Sequence, residues 1–426
     1  MKNVLILCPT SREYRYLPAV ATDLNCRLTF DEFADTYFDR QLAGAHQPRS
    51  SDLEILSLIE ATLDRYKDSD IKGVASGVGY PGMPVASIMA ERMGLAGPKV
   101  ERVLRCEHKY YSRVAQRNLT PAATPSFQIV PPAGIDGDTL DIPFPLFLKP
   151  VKSCFSISAQ KISSLPELQR VAPESLLPEG FLRPFNDLLR AHTDYEFDGS
   201  HLLAETLLEG MQVSLEGYVF EGRVRVLGII DSVMYPGTIS FERFVYPSRL
   251  PAGVQTAMAR IAETFIGGID YDNALFNMEL IYNPATGEIH IIEVNPKIAS
   301  QFTDLFEKVD GVSSYAPLLQ IALGEEPVFP HRQGDFKMAA SCILRTFTNK
   351  RVLSVPSVEQ LAQLARAFPD ANVEVTVAAG DALSDIMQDG KSFRYGVINI
   401  GANSPEELDA KLALCKNSLD FLFAAP

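Results

Sequence analysis

The chain has 426 residues, of which 46% are hydrophobic and 22% charged, and its formal net charge at pH 7 is −14. That length and composition are typical of a globular protein with two or three domains. The negative charge argues against a nucleic-acid binder, and no apolar run approaches the roughly 18 to 20 residues of a membrane span. Six scattered Cys without a CxxC pair favour reduced thiols, so a cytoplasmic protein is expected.

The first hundred residues alternate between strand and helix patterns. Short apolar strands are predicted at residues 4–7 and 71–76, and helices at 53–63 and 85–93, the last closed by Gly94. This alternation predicts a doubly wound domain with a parallel sheet. The loop over residues 77–82 does not place its glycines in the GxGxxG register, so we interpret it as an ordinary strand-to-helix connection.

The elements predicted for the rest of the chain are separated by Pro, Gly and Asn turn signals. They are a basic helical stretch at 101–120, a strand at 144–150, two strands within 202–230 joined at Glu221-Gly222, a helix at 252–265, strands at 275–282 and 288–294, and a helix at 312–323. After Pro330 the pattern is rich in strands and ends in a helix from residue 405 to 421.

The hairpin predicted at residues 275–297 carries the most informative polar side chains. Glu279 lies in its first strand, and Glu293 and Asn295 lie on one face of the second, because side chains two apart in a strand share a face. Pairing across the turn would bring Glu279 beside Glu293. Two carboxylates and an amide oxygen suit Mg²⁺ shared with phosphates, although either acid alone is more often a solvated residue on a hairpin.

Two lysines and one acid upstream add to this pattern. Lys149 ends a predicted strand, where a lysine can place a point charge on a phosphate, and Lys109 lies in the basic helical stretch. Taken alone, each lysine is equally well explained as a solvated charge. Glu205 ends another predicted strand and is followed by apolar residues, an arrangement that can hold an adenine through the side chain and the adjoining backbone.

Taken in this order, these features resemble the ATP-grasp superfamily over nearly the whole chain. The resemblance implies an α/β and α+β architecture: an N-terminal doubly wound α/β domain, a central ATP-binding subdomain and a C-terminal lid. It divides the chain into an N-terminal domain at 1–105, a small ATP-binding subdomain with the lysines and hinge at 106–210, a large subdomain with the metal site at 211–330, and a β-rich lid at 331–426.

The resemblance also implies roles for individual residues. Lys109 and Lys149 would hold the phosphates of ATP, with Ser153 and Ser156 in the loop that follows. The adenine would contact the Glu205 side chain and the backbone of Thr206 and Leu208, and the ribose would contact Gln212, a position that is usually acidic in relatives.

The remaining implied roles concern metal and catalysis. Glu279, Glu293 and Asn295 would bind Mg²⁺, with two ions expected and Mn²⁺ as a substitute. Lys297 would neutralise an oxyanion, and Glu216 is the second candidate catalytic residue, for metal or for a substrate amine.

The tail from Ser392 to Phe421, with Tyr395-Gly-Val-Ile-Asn-Ile-Gly401, is similar to the C-terminal lid of carboxylate–amine ligases such as the L-amino-acid ligases and carnosine synthase. That similarity implies a small-molecule carboxylate that takes the γ-phosphate of ATP, and an amine that then forms an amide or peptide bond. Neither a nucleic acid nor a membrane is an expected partner, and a homodimer is left open.

Two departures from the family pattern leave other functions open. The loop at 152–156 contains no Gly, and Lys297 stands where relatives often carry Arg. The alternatives are an ATP-dependent kinase or carboxylase-like activator, and an ATP-binding regulatory protein without catalysis.

Overall fold

The computed structural model of the protein describes residues 1–33, 54–133, 139–386 and 391–424. The N-terminal elements are β1 (Lys2–Leu7), α1 (Ser11–Asp23), β2 (Cys26–Asp31), α2 (Ile55–Tyr66), β3 (Ile71–Ala75) and α3 (Gly82–Arg92). The three strands form a sheet in the order β2-β1-β3 with both pairings parallel, which confirms the predicted parallel sheet. The helix predicted from residue 53 begins at Ile55, and Leu53 itself lies outside the described residues.

A second, smaller sheet follows. Its elements are α4 (Val100–Glu107), α5 (Lys109–Leu119), β4 (Phe127–Val130), β5 (Leu146–Pro150), β6 (Gln160–Ile162), α6 (Leu165–Val171), α7 (Glu179–His192) and β7 (Leu202–Thr206). The strands pair antiparallel in the order β4-β7-β5-β6. The basic stretch forms two helices that meet at His108, whose extended backbone (φ −95°, ψ 100°) ends the first and precedes the second.

The third group of elements contains the predicted hairpin. It comprises β8 (Met211–Phe220), β9 (Arg223–Met234), β10 (Phe241–Tyr246), α8 (Ala252–Gly268), β11 (Ala274–Tyr282), β12 (Ile289–Asn295), α9 (Thr303–Asp310) and α10 (Tyr315–Ala322). The turn predicted at Glu221 and Gly222 joins β8 to β9, and both residues have positive φ. Residues 202–220 form two strands rather than one, because residues 207–210 leave the small sheet and β8 enters a different one.

The C-terminal elements are β13 (Met338–Thr346), β14 (Arg351–Ser354), α11 (Val358–Ala367), β15 (Asn372–Val375), β16 (Phe393–Ala402), α12 (Pro405–Asn417) and β17 (Leu422–Ala424). Helix α12 ends four residues before the predicted end at 421, and β17 pairs with β14. Eight strands form one sheet in the order β12-β11-β8-β9-β10-β13-β16-β15. Since β10 pairs with β13, this sheet continues across the predicted subdomain boundary at residue 330.

One apolar core joins the N-terminal sheet to the large sheet. Val4 and Ile6 of β1 belong to the same buried cluster as Tyr218 and Ile230 of the large sheet and Leu319 of α10. Burial of these side chains stabilises the contact between the two sheets and so fixes the loop after β3 against the end of β12. Within the described ranges, no helix combines the length and apolar character needed to cross a membrane.

Candidate functional site

The metal-site residues proposed from the sequence lie on neighbouring strands. In the antiparallel pair β11–β12, Glu279 is directly opposite Glu293, and Asn277 is directly opposite Asn295. The predicted juxtaposition of the two acids is therefore confirmed. On the other side of β11, Glu216 of β8 is opposite Asn277, so polar residues continue across three strands.

The two carboxylates have opposite electrostatic environments. Burial and the neighbouring Glu293 raise the pKa of Glu279. Burial also tends to raise the pKa of Glu293, but Lys109 and Lys149 outweigh it and lower that pKa. Gln212 Nε2 donates a 2.8 Å hydrogen bond to Glu279 Oε2. Lys297, Lys109 and Lys149 offset only part of the rise in the pKa of Glu279, so this acid is where a divalent ion would add most.

The amide of Asn295 has a defined orientation. Its Nδ2 donates to Glu293 Oε1 at 3.3 Å and to Asn277 Oδ1 at 3.1 Å, which leaves Oδ1 to face a cation. Two carboxylates and this oxygen are hard donors that fit Mg²⁺. No group of three or more His, Cys, Asp or Glu residues suited to a metal occurs in the part of the chain that the structure describes. The other ligands of an ion here would be phosphate oxygens and water.

The two proposed nucleotide lysines converge on β12. Lys149 Nζ donates to the Ile292 carbonyl at 3.3 Å and lies 2.8 Å from Glu205 Oε2. Lys109 Nζ lies 3.3 Å from Glu293 Oε2. Burial lowers the pKa of Lys149, whereas at Lys109 the nearby acids outweigh burial and raise the pKa. Neither side chain is the solvated surface lysine that each could have been on sequence grounds, since both are largely buried.

Glu205 lies in a buried network of charges between the two sheets. Its Oε1 accepts a 2.6 Å hydrogen bond from Arg113 Nε, and Arg113 Nη2 donates to the Ile292 carbonyl at 2.7 Å. Strand β7 ends at Thr206, and Leu208 lies in the irregular segment 207–210 that connects the small sheet to the large one. The three hinge residues proposed from the sequence are thus at the junction of the sheets.

The loop after Lys149 takes backbone conformations that usually require glycine. Phe155, Ser156 and Ser158 have φ values of +53°, +57° and +60°. L-residues adopt this left-handed region at an energetic cost, which glycine avoids. The hydroxyl of Ser153 donates to the Ile157 carbonyl at 2.8 Å, within the same loop. The loop therefore makes its tight turns without glycine, and its own hydrogen bonds hold part of it.

Lys297 and Glu216 flank the end of the hairpin. Lys297 is half-buried, and its charge opposes the effect of burial on Glu216. Glu216 is fully buried, accepts hydrogen bonds from Asn277 Nδ2 at 2.6 Å and from the Ala299 N–H at 3.2 Å, and has a pKa raised by burial to about 7. These bonds tie Glu216 to the backbone that follows Lys297, an arrangement suited to holding that segment.

Sequence reasoning did not identify several residues of this site. Asn277 precedes Glu279 by two positions and so shares its face of β11, a spacing that could have indicated it. Arg113 lies four residues after Lys109, on the same face of α5. Glu107 and Lys152 form a buried ion pair next to Ser153, whose carbonyl accepts a hydrogen bond from Lys109, and nothing in the local sequence pattern indicated that pair because its members are far apart in the chain.

Residues 142–304 match the ATP-grasp domain family. No curated protein matches the sequence. Among solved structures, the chain is similar to L-amino acid ligase from Bacillus licheniformis, with a TM-score of 0.77 and 17% identity over 100% of this chain and 99% of that one.

Two further similar structures carry other activities. Carboxyaminoimidazole ribonucleotide synthase from Aspergillus clavatus, complexed with ATP, gives a TM-score of 0.66 and 12% identity over 98% of each chain. The biotin carboxylase domain of 2-oxoglutarate carboxylase from Hydrogenobacter thermophilus, in complex with MgADP and bicarbonate, gives 0.65 and 16% over 99% of this chain and 91% of that one. At these identities the likeness shows the fold, and the ATP-grasp fold expected from the sequence is confirmed.

Proposed function

Since the chain contains an ATP-grasp domain within an ATP-grasp fold, we propose that it is an ATP- and Mg²⁺-dependent carboxylate–amine ligase that forms an amide or peptide bond through an acyl phosphate. The observation that carries this proposal is the convergence on β12 of Lys109 and Lys149 beside the Glu279–Glu293 pair. Cationic and anionic groups thus meet at one place, as a metal-bound triphosphate requires.

The residues of the proposed nucleotide site have separate roles. Lys109 and Lys149 hold phosphate oxygens as point charges, and Glu205 with the backbone of Thr206 and Leu208 holds the adenine. Glu279, Glu293 and Asn295 would hold two magnesium ions, for which manganese could substitute. When bound, these ions neutralise the charge that develops on the transferring phosphoryl group.

The acyl side of the reaction falls to Lys297. Its ammonium neutralises the oxyanion that forms when the amine attacks the acyl carbon, without the bidentate geometry that an arginine would give. Glu216 supports this step by holding the backbone at Ala299, through its 3.2 Å hydrogen bond, so that the segment bearing Lys297 keeps its position.

Structural likeness supports the ligase over an ATP-dependent kinase or carboxylase-like activator. The L-amino acid ligase gives a TM-score of 0.77, against 0.65 for the biotin carboxylase domain. A carboxylase-like or kinase activity nevertheless shares the first half of this chemistry, and only the product distinguishes them.

The decisive experiment is a coupled ADP-release screen over pairs of amino acids and small carboxylic acids with MgATP, followed by mass spectrometry of the products. We expect ADP release that needs both partners and an amide product. A stable phosphorylated or carboxylated product would overturn the ligase assignment in favour of the kinase or carboxylase-like reaction.

A second candidate function is an ATP-binding regulatory protein without catalysis. The absence of glycine from residues 152–156 favours it, because non-glycine side chains limit how closely backbone N–H groups can approach phosphates. Tight MgATP binding with ADP release at background across the whole screen would establish this function.

A further inference from the structure

The ammonium group of Lys152 is enclosed at a junction of four segments. Its Nζ forms a very close ion pair with Glu107 Oε2 at the end of α4. It also lies 4.6 Å from the ring centroid of Tyr80, in the loop after β3, and 4.8 Å from that of Phe185, in α7. The Lys152 side chain is only 3% exposed and that of Glu107 11%. Such a lysine is held by its charge and by both rings.

This enclosed lysine is covalently next to a contact of the nucleotide site. The residue after it, Ser153, offers its carbonyl to Lys109 Nζ at 3.2 Å. Lys109 Nζ in turn lies 3.3 Å from Glu293. The backbone of Lys109 also donates to the Val151 carbonyl at 3.0 Å, just before Lys152. Any shift of the chain at residues 151–153 would therefore move Lys109 relative to Glu293.

The loop has little intrinsic preference for this conformation. The three residues with left-handed backbone cost free energy that their surroundings must offset. The surroundings include the anchoring of Lys152 at the start of the loop, and at its end a hydrogen bond of 2.8 Å from Lys391 Nζ to the Ala159 carbonyl.

We propose that the Glu107–Lys152 ion pair positions the phosphate loop, so that the Ser153 carbonyl holds Lys109 where it meets the phosphates of ATP. Lys152 is thus a positioning residue for nucleotide binding. This inference rests on the proposed function, since it assumes that Lys109 binds phosphate. This positioning role is distinct from a contribution to the stability of the fold, which a buried ion pair alone does not demonstrate.

The test measures binding of the non-hydrolysable analogue AMPPNP with Mg²⁺ to the full chain by isothermal titration calorimetry. Lys152→Met keeps most of the length of the side chain and removes its charge, and we expect it to raise Kd about tenfold, which is about 1.4 kcal/mol. The same variant should lose less than about threefold in affinity for AMP, which lacks the β- and γ-phosphates, because a positioning effect acts through the phosphates. Lys152→Arg keeps the charge and should recover most of the affinity.

The matched control is Lys308→Met. Lys308 forms a largely buried ion pair with Asp304, at 2.5 Å within α9, which contains none of the proposed nucleotide residues. It should lower thermal stability and leave Kd within about twofold. The double variant Glu107→Gln with Lys152→Met leaves no lone buried charge, so it covers the case in which Lys152→Met alone does not fold, and it too should bind weakly.

Three results would overturn the inference. They are unchanged AMPPNP binding by Lys152→Met and the double variant, an equal loss in Lys308→Met, or equal losses for AMP and AMPPNP. A wild-type chain that gives no binding at all would instead overturn the proposed function and this inference with it. The two failures are therefore distinguishable.

Discussion

The side-chain amide of Gln212 donates a 2.8 Å hydrogen bond to Glu279, the more weakly acidic member of the carboxylate pair. The resemblance to the ATP-grasp superfamily implies a ribose contact for Gln212, at a position that is usually acidic in relatives. Because β8 places Gln212 beside β11, a neutral amide rather than a further carboxylate lies next to Glu279. The chain thus keeps a two-acid site.

We expect Gln212→Glu to make folding more dependent on Mg²⁺. A third carboxylate beside Glu279 and Glu293 adds like-charge repulsion of at least about 1 kcal/mol, which a bound divalent ion would relieve. Differential scanning calorimetry in EDTA and with Mg²⁺ plus AMPPNP should show a lower Tm in EDTA and a larger metal-induced rise than the wild type. Gln212→Ala provides the control, since it removes the hydrogen bond without adding charge. Equal metal-induced rises in all three proteins would argue against a metal at this pair.

Glu293→Gln should abolish turnover. The change keeps the shape of the side chain but removes the charge that both the metal and Lys109 require. With the substrate pair found by the screen, ADP release should fall at least about 100-fold. Glu288→Gln is the matched control, because Glu288 is an exposed acid on the same hairpin. Undiminished activity in Glu293→Gln would refute the metal assignment.

Substitutions at Ser158 should reveal the cost of its left-handed backbone. Glycine adopts φ +60° without strain, so Ser158→Gly should keep or raise the free energy of unfolding, by up to about 1 kcal/mol. A β-branched residue is disfavoured there, and Ser158→Val should lower that free energy by about 2 kcal/mol. Urea unfolding of the two variants measures both effects. Equal stabilities would show that the loop relaxes away from this conformation.

His108 should make the fold sensitive to acid. Its ring is buried, Nε2 donates to the Asp198 carbonyl at 3.3 Å, and Nδ1 is buried without a hydrogen-bond partner in the described structure. Burial therefore lowers its pKa from 6.5 to about 4. The unfolded chain takes up a proton below pH 6.5 that the folded chain refuses until about pH 4, so this stability is present above pH 6.5 and lost as the pH falls.

The measurement compares urea unfolding at pH 7.5 and pH 5. His108→Gln keeps a donor for the Asp198 carbonyl but cannot titrate, so the variant should lose about 2 kcal/mol less than the wild type over this range. His331→Gln, at an exposed histidine, should behave as the wild type does. An identical acid response in His108→Gln would contradict the buried neutral state of this ring.

The elements with strong local patterns were predictable from the sequence. The hairpin was one, because apolar alternation set both strands and the turn at 283–287 set their register, which placed Glu279 opposite Glu293. The parallel N-terminal sheet was another, although β2 was missed, since only the first and last of its six residues are buried. Helix α11 was also missed, although Ser357 and Gln360 form a capping box at its start, and it buries only Leu364.

The contacts that shape the site were not predictable, because they join residues far apart in the chain. Lys149 and Arg113 meet at Glu205, and Lys109 meets Glu293, and these residues come from four separate elements. From the sequence alone, each lysine could have been a solvated surface charge, and only the tertiary contacts show that both are largely buried. The conformation of the loop after Lys149 was likewise hidden, because its residues do not favour the left-handed backbone that they adopt.

The pairing of β10 with β13 has a mechanical consequence. Because it joins the strands of Glu279 and Glu293 to the C-terminal strands in one hydrogen-bonded sheet, these strands form one continuous unit. A movement that separates Lys149 from Glu293 would therefore come from the four-stranded sheet that carries Lys149. Residues 207–210, which connect that sheet to the large one, are few and irregular, so a hinge there would lie beside the residues proposed to hold the adenine.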